Sequence, residues 1–270
     1  MQPTIVLTAR DLAIAAVLIL MDGVLSVVLK LDLHRQLAIA TLRMIVQLLL
    51  IGFILRTVFA LASPALTLFV VLVMVAIAGR EVAVRPEQRL VQFGNYITGG
   101  AAVAFATGVT SLLALTTALR PHPWYDARYA IPLSGIVLGN VLNAATLALD
   151  GLLAGVVREK GAIEARLCLG ASIRHAMAPL LRAGIRRGLL PVITSMSASG
   201  VVTLPGIMTG QILAGLDPME AVKYQILLMF LLGGGGGLAA VAVVLLAAGR
   251  LTDARQRLRL DRLEVRRPQS

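Results

Sequence analysis

Long apolar runs, separated by short polar or basic stretches, make up most of the chain. Runs of about 17–25 residues are long enough to cross a lipid bilayer as helices. They lack the period-two alternation of barrel strands, and a helix satisfies its own backbone hydrogen bonds in lipid. The pattern predicts an all-α polytopic membrane protein with about seven transmembrane helices. The predicted spans are residues 10–29, 36–58, 64–79, 93–119, 130–156, 188–214 and 221–248.

Composition agrees with a membrane protein and narrows the range of partners. Of the 270 residues, 58% are hydrophobic and only 14% are charged, too few to cover a soluble domain of this length. The net charge of +11 comes from basic residues at the ends of apolar runs and in one loop. The positive-inside rule accounts for this distribution. We therefore expect the lipid bilayer as a partner and no nucleic acid.

The distribution of Lys and Arg also predicts orientation. If the loops after runs one, three and five lie on the same side as the C-terminal tail, that side holds 19 of the 25 basic residues. The N-terminus is then outside and the C-terminus cytosolic. This places a transmembrane domain at 1–249, with a cytosolic segment at 158–187. The basic tail at 250–270 is predicted to be a surface helix or disordered, with a charge that favours anionic headgroups.

The cytosolic segment carries the signals of short surface helices. Ile163 and Leu167 fall on one face of an amphipathic helix. Gly170 can end that helix with a positive φ, and Ser172 can N-cap a second one. Pro179 is predicted to cut the second helix short. The alternative is an ordinary connecting loop.

The sixth run is interrupted by Pro205-Gly206, which predicts a broken helix. Broken helices recur where transporters bind cargo, and polar residues within spans are candidates for function. Asn140 and Asn143 lie three residues apart on one helical face. Interhelical hydrogen bonds, and core filling by the methionines, are the alternatives. The candidates for a translocation path are Asn140, Asn143, Asp150, Met196, Met208 and Gln211.

No set of metal ligands or catalytic groups is assigned from the sequence. The histidines His34, His122 and His175 are scattered over different loops without ligand spacing. A GxxxxGK[ST] phosphate loop is absent from the sequence, so energy must come from a partner or an ion gradient. An intramembrane enzyme would need convergent catalytic groups, and the chain is expected not to be an enzyme.

Three strings resemble a known family. They are Ile131-Pro-Leu-Ser-Gly-Ile-Val-Leu-Gly-Asn140, Glu164 to Ser172 with its Leu-Gly-Ala-Ser ending, and Leu204-Pro-Gly-Ile-Met-Thr-Gly-Gln-Ile-Leu-Ala-Gly215. Together they resemble the FetB family of iron-export ABC permeases, to which plant subunits linked to aluminium tolerance are similar. Glu164-Ala165 followed by Gly170 also resembles the coupling segment of ABC membrane subunits, although Arg166 replaces a second alanine.

The resemblance implies a permease homodimer in a bacterial inner membrane, working with two separate ATPase subunits. Those ATPases would bind ATP and Mg²⁺, and no cofactor is expected in this chain. The implied cargo is iron or another metal. The alternatives are a non-metal cargo such as a sugar nucleotide, or an ATPase-independent channel or carrier. The implied coupling residues are Glu164, Ala165, Gly170, Ala171 and Ser172, with Pro205 and Gly206 as the hinge.

Overall fold

The computed structural model describes residues 8–61, 63–91, 94–123, 125–253 and 255–265. Internal contacts divide the chain into two units. Unit 1 comprises residues 1–62 with 213–215, and unit 2 comprises residues 63–212 with 216–270.

Unit 1 contains the helices α1 (Ala9–Val28) and α2 (His34–Leu61). The backbone N–H and the hydroxyl of Thr8 both donate to the Asp11 carboxylate at the start of α1. At the turn after α1, the Leu33 N–H donates to the Ser26 hydroxyl at 2.9 Å. Both helices expose apolar side chains along most of their length. A helix that is apolar all round is suited to a lipid environment.

Among its described residues, unit 2 contains one short sheet and seven helices, of which α8 ends on Leu213 of unit 1. The helix α4 continues into a π-helical turn at Ala114–Leu119, and a 3₁₀ turn at Leu260–Arg262 precedes the last strand. The elements are α3 (Pro64–Val84), β1 (Gln88–Leu90), α4 (Gly94–Leu113), α5 (Ala127–Arg158), α6 (Lys160–Cys168), α7 (Ile173–Ala198), α8 (Gly206–Leu213), α9 (Pro218–Leu251) and β2 (Leu263–Val265).

The helix α5 lies at the centre of unit 2. It packs against α3, α4, α7 and α9, and Leu149, Leu152 and Leu153 on it are fully buried. Their spacing of three and four residues places them on one helical face. Burial of large aliphatic side chains there is a main source of packing stability within the unit.

Glycines bring the backbones of α5, α7 and α9 close together and show their directions. Small residues allow such close approach in membrane proteins. The helix α7 is antiparallel to both α5 and α9, so α5 and α9 run in the same direction. The supporting contacts are Gly184 with Ala148 and Val244, Gly188 with Ala144 and Ala240, and Gly233 with Met196.

Among the described residues, six helices are long and apolar enough to cross a membrane. They are α1, α2, α3, α4 with its π-helical turn, α5 and α9, and they match six of the predicted spans within a few residues. The remaining predicted span, 188–214, is divided between the end of α7, a turn and α8. The protein is therefore a polytopic, all-α membrane protein.

The prediction that Pro179 ends a short second helix is wrong. The helix α7 continues through both Pro179 and Pro191 to Ala198. Both prolines lie on its exposed side, where the pyrrolidine rings do not disturb the buried face. Each proline removes one helical hydrogen bond, and packing of the opposite face maintains the helix.

The tail also differs from the prediction of a surface helix or disorder. Its strand β2 pairs antiparallel with β1, so Leu90 lies opposite Leu263. Leu258, Leu260 and Leu263 pack against the core of unit 2. The side-chain oxygen of Gln256 accepts a 2.8 Å hydrogen bond from the backbone N–H of Ile173, at the start of α7. The last two tail arginines, Arg266 and Arg267, lie outside the described residues.

Candidate functional site

The helix α6 presents an exposed surface held in place by one buried side chain. Ile163 is fully buried and Leu167 packs beside it, which confirms the predicted amphipathic helix. Glu164 and Ala165 are exposed on the opposite side. The Glu164 carboxylate lies 3.8 Å from the Lys160 ammonium, and a pair this open to solvent contributes little stability.

A tight turn joins α6 to α7 with the predicted capping residues. Gly170 has a φ of +87°, and a Cβ at this position would meet no atom within 4 Å. The constraint at Gly170 is therefore conformational rather than steric packing. The Ser172 hydroxyl accepts from the backbone N–H of His175 at 3.4 Å, which confirms the N-cap. Ala171, between them, is half-buried.

A basic cleft lies where α6 meets α7. Nη1 of Arg166 donates to the backbone carbonyl of Ala176 at 3.0 Å, which ties the two helices together. The adjacent cleft has a volume of about 490 Å³, and Arg174, His175 and Arg182 contribute to its walls. This charge is suited to an acidic protein surface.

The break after α7 is a compact turn that begins earlier than predicted. The Ala198 carbonyl accepts from the backbone N–H groups of Val202 and Thr203 at 3.0 and 3.1 Å. Gly200 in this turn has a φ of +85°. Pro205 closes the turn, and its carbonyl accepts from the backbone N–H of Thr209 inside α8. The break therefore covers residues 199–205, and Gly206 is the first residue of α8.

Two of the predicted path residues meet α9 at its glycines. Asn140 donates through Nδ2 to the backbone carbonyl of Leu232 at 2.6 Å. A Cβ at Gly236 would lie 2.7 Å from that amide nitrogen, and a Cβ at Gly233 would lie 2.7 Å from Cε of Met196. Asn140 therefore makes an interhelical hydrogen bond, and Met196 fills space against α9. We call residues 233–237 of α9 the glycine junction.

Asn143 and Asp150 lie on a side of α5 that the described residues of unit 2 cover less. Asn143 is exposed, and Asp150 is half-buried. The Asp150 carboxylate lies 3.9 Å from Nη2 of Arg187 on α7. A Cβ at Gly151 would lie 2.9 Å from Cδ of Arg187, so this glycine makes room for the arginine stem. The structure thus gives Asp150 an ion-pair partner on α7.

The other two path candidates, Met208 and Gln211, lie on α8. Both are half-buried. The side-chain oxygen of Gln211 is buried without a hydrogen-bond partner among the described residues. Among all the described residues, no group of three or more His, Cys, Asp or Glu side chains is placed to hold a metal ion.

Comparison with known proteins identifies the family. The profile of an uncharacterised protein family, UPF0014, matches residues 9–252. The chain belongs to the UPF0014 family. The matched range includes α6, α7, the break and the glycine junction, but only the first residues of the tail.

Named relatives of this UPF0014 chain come from bacteria and a plant. It is 39% identical to the UPF0014 membrane protein slr1647 of Synechocystis over 74% of this chain and 76% of that protein. It is 32% identical to the probable iron export permease protein FetB of Escherichia coli, over 83% and 84% of the two chains. It is 30% identical to the protein ALUMINUM SENSITIVE 3 of Arabidopsis thaliana, over 80% and 77%. No solved structure matches the chain. The resemblance to FetB and to the plant proteins is thereby confirmed.

Sequence reasoning missed three contacts of this UPF0014 chain. They are the bond from Arg166 to α7, the ion pair of Arg187 with Asp150, and the close approach of Gly188 to α5. The sequence does contain a signal for the third contact, the close approach of Gly188 to α5. Gly184 and Gly188 are four residues apart, a spacing that places small residues on one helical face.

Proposed function

We propose that the chain is the membrane-spanning permease subunit of an ABC transporter, driven by ATP that a separate ATPase subunit hydrolyses. The observation that carries this proposal is the continuity of α7. One helix runs from the basic cleft, through the packed centre of unit 2, to the break at 199–205. Such a helix can pass a displacement from a partner at one end to the break at the other.

The surface at the start of α7 supports docking of the ATPase. The helix α6 exposes Glu164 and Ala165, and Leu169 after it is 87% exposed. This apolar side chain and the arginine-lined cleft are both available for contact with a partner, and interfaces combine apolar and arginine contacts. ATP and Mg²⁺ would bind to the partner, since the sequence contains no phosphate loop.

The contacts along α7 support transmission of movement. A push on α6 reaches α7 through the hydrogen bond from Arg166 to Ala176. Beyond it, Gly184 and Gly188 hold the α7 backbone against α5 and α9. Well-packed helices shift as units rather than deform continuously. We infer that α7 moves as a rod and that the 199–205 turn absorbs the displacement.

The orientation that fits this mechanism has the N-terminus outside and the C-terminus in the cytosol. The antiparallel course of α7 relative to α5 and α9 supports a seventh membrane crossing made by the end of α7, the turn and α8. The basic residues then concentrate on the cytosolic side, as the positive-inside rule requires. We place the protein in the inner membrane of a bacterium.

The less covered side of α5, which carries Asn143, supports a homodimer. Gly139 and Asn143 are exposed there, and a Cβ at Gly139 would meet no atom within 4 Å. A polar amide facing lipid is unfavourable, and a small residue beside it permits close helix approach. A second copy of the chain would cover this surface, and a path for cargo between the copies would be lined by Asn143 and Asp150.

Iron or another metal is the proposed cargo, because a relative is named as a probable iron export permease. The test uses the permease with its ATPase in sealed vesicles, measuring ATP hydrolysis and ferrous iron movement together. Gly170→Ala is the informative variant, since an alanine at φ +87° costs roughly 1–2 kcal/mol locally. Gly161→Ala is the matched control, because Gly161 lies within α6 with open space around it.

We expect Gly170→Ala to reduce iron movement per ATP hydrolysed and Gly161→Ala to resemble the unmodified protein. Equal transport by all three proteins would refute the coupling role of the turn. ATP hydrolysis that responds to the permease without iron movement would leave the permease assignment in place and reject iron. A sugar nucleotide would then be the cargo to assay. Iron movement that does not require ATP would favour a channel or carrier.

A further inference from the structure

A basic cavity lies where α4 begins and α9 ends. Its volume is about 440 Å³, and its walls include Gly94 together with residues of the tail. Three arginines, Arg250, Arg259 and Arg262, line it against a single aspartate, Asp261. Its side-chain charge is therefore strongly positive, which favours an anionic ligand.

The tail fixes two of these arginines in position. Arg259 donates two hydrogen bonds of 2.8 Å to the Asp261 carboxylate. Nη1 of Arg262 donates to the backbone carbonyl of Arg250 at 2.7 Å. The guanidinium of Arg250 has no hydrogen-bond or ion-pair partner among the described residues. The aspartate thus neutralises one arginine, and the positive charges of Arg250 and Arg262 remain available to a ligand.

The position of the cavity in the fold indicates the kind of anion. Gly94 is the first residue of one membrane span, and Arg250 lies in the last turn of another. Both helices are longer than the roughly 20 residues that cross the hydrocarbon, so their ends, and the cavity between them, reach the level of the lipid headgroups. The N-terminal end of α4 adds the partial positive charge of its unpaired N–H groups.

We propose that this cavity binds a phosphate-bearing anion, supplied by the headgroup of an anionic phospholipid. Guanidinium groups bind phosphate oxygens through charge-assisted hydrogen bonds, and basic pockets at membrane spans bind anionic headgroups. Free phosphate shares this chemistry and is the other source. The site does not depend on the transport function, because it is formed by the ends of two spans and the tail.

The test measures binding of phosphatidylglycerol, phosphatidylcholine and inorganic phosphate to the purified full-length chain in detergent. The informative variants are Arg250→Gln and the double variant Arg250→Gln/Arg262→Gln. We expect about fivefold weaker phosphatidylglycerol binding for the single variant and more than tenfold for the double. Arg255→Gln is the matched control, because Arg255 lies in the same tail but outside the cavity wall, and its binding should not change.

The phosphate measurement distinguishes a phospholipid headgroup from free phosphate as the anion that the cavity binds. A headgroup site should bind phosphatidylglycerol in the presence of millimolar phosphate, whereas a free-anion site should bind phosphate directly and lose it in the same variants. Arg250→Lys keeps the charge and should retain most of the binding. Equal binding of phosphatidylglycerol by all variants, without phosphate binding, would overturn the proposal. So would an equal loss in Arg250→Lys and Arg250→Gln together with loss of amide protection at residues 258–265, because the effect would then come from tail folding.

Discussion

Replacing Gly188 with alanine should separate α7 from its two neighbours. A Cβ at this position would lie 2.6 Å from the Ala144 carbonyl oxygen, 2.9 Å from the Ala148 Cβ and 3.1 Å from the Ala240 Cβ. None of these atoms belongs to a side chain that can rotate away. A carbon and a carbonyl oxygen ordinarily meet no closer than about 3.3 Å. The helices must therefore move apart by roughly 0.7 Å at this point.

The expected cost follows from this displacement. Adding a methyl group to a well-packed core costs about 1–3 kcal/mol, and Gly188 is buried. Alanine is favoured over glycine within a helix by up to about 1 kcal/mol, which offsets part of that cost. We expect Gly188→Ala to lower the free energy of unfolding by about 1–2 kcal/mol.

Gly234 provides the matched control for this measurement. It lies in α9 within the glycine junction, but it is exposed, and a Cβ there would meet no atom within 4 Å. Gly234→Ala should therefore leave stability unchanged or raise it slightly. Both variants are compared by denaturant unfolding in the same detergent. If Gly188→Ala proves as stable as Gly234→Ala, the close approach of α7 to α5 and α9 described above is incorrect.

Two further predictions concern Asn140 and the tail. Asn140→Ala should destabilise unit 2 by about 0.5–2 kcal/mol, because the hydrogen bond to the Leu232 carbonyl crosses between two helices; unchanged unfolding in detergent would argue against that bond. In the tail, the Arg257 backbone N–H lowers the pKa of Asp253, and the Arg259 guanidinium lowers the pKa of Asp261, both from an ordinary 3.8. A depressed folded-state pKa contributes stability above the unfolded value and loses it as pH falls below that value. Amide protection at residues 258–265, corrected for intrinsic exchange rates, should therefore decrease between pH 6 and pH 3, and equal protection would contradict it.

The spans were predictable because length and hydropathy determine them. An apolar run must reach across about 30 Å of hydrocarbon, and Pro64 and Pro218 stand in the first turn of α3 and α9, where proline is tolerated. The turn between α6 and α7 was also predictable from the sequence. Gly170 has the positive φ that only glycine adopts without strain, and Ser172 has the hydroxyl that an N-cap requires.

The continuity of α7 was not predictable from proline alone. Pro179 and Pro191 suggest helix ends, yet both occupy the exposed side. Tertiary packing decides the outcome, because Met177, Gly184 and Gly188 form a continuous buried face on the other side. A helix that loses single hydrogen bonds on its outer side still keeps the apolar burial that stabilises it. The spacing of these buried positions was a signal that could have been weighed against the prolines.

The prediction of a surface helix or disorder in the tail is wrong for a related reason. Its composition is strongly basic, which suggests a solvated segment, but Leu258 and Leu260 alternate with arginines. Alternation with period two is typical of an extended segment with one buried face. The structure packs those half-buried leucines against the core and pairs Leu263 with Leu90 on β1. A pairing partner so distant in sequence leaves no local signal, so the strand could not be located from the tail alone.

In the candidate site, the closely packed residues and the residues proposed to move lie in different places. Asn140 and Met196 lie at the glycine junction, where close contacts between helices leave little space for cargo or for bending. Such contacts make α5, α7 and α9 respond as one body. In the proposed mechanism, a displacement produced at α6 would then appear where α7 leaves this body, at the turn of residues 199–205 and the α8 helix that follows. Gln211 lies there with a buried side-chain oxygen that has no partner among the described residues. In the proposed permease, a cargo path that opens and closes would therefore lie outside the glycine junction.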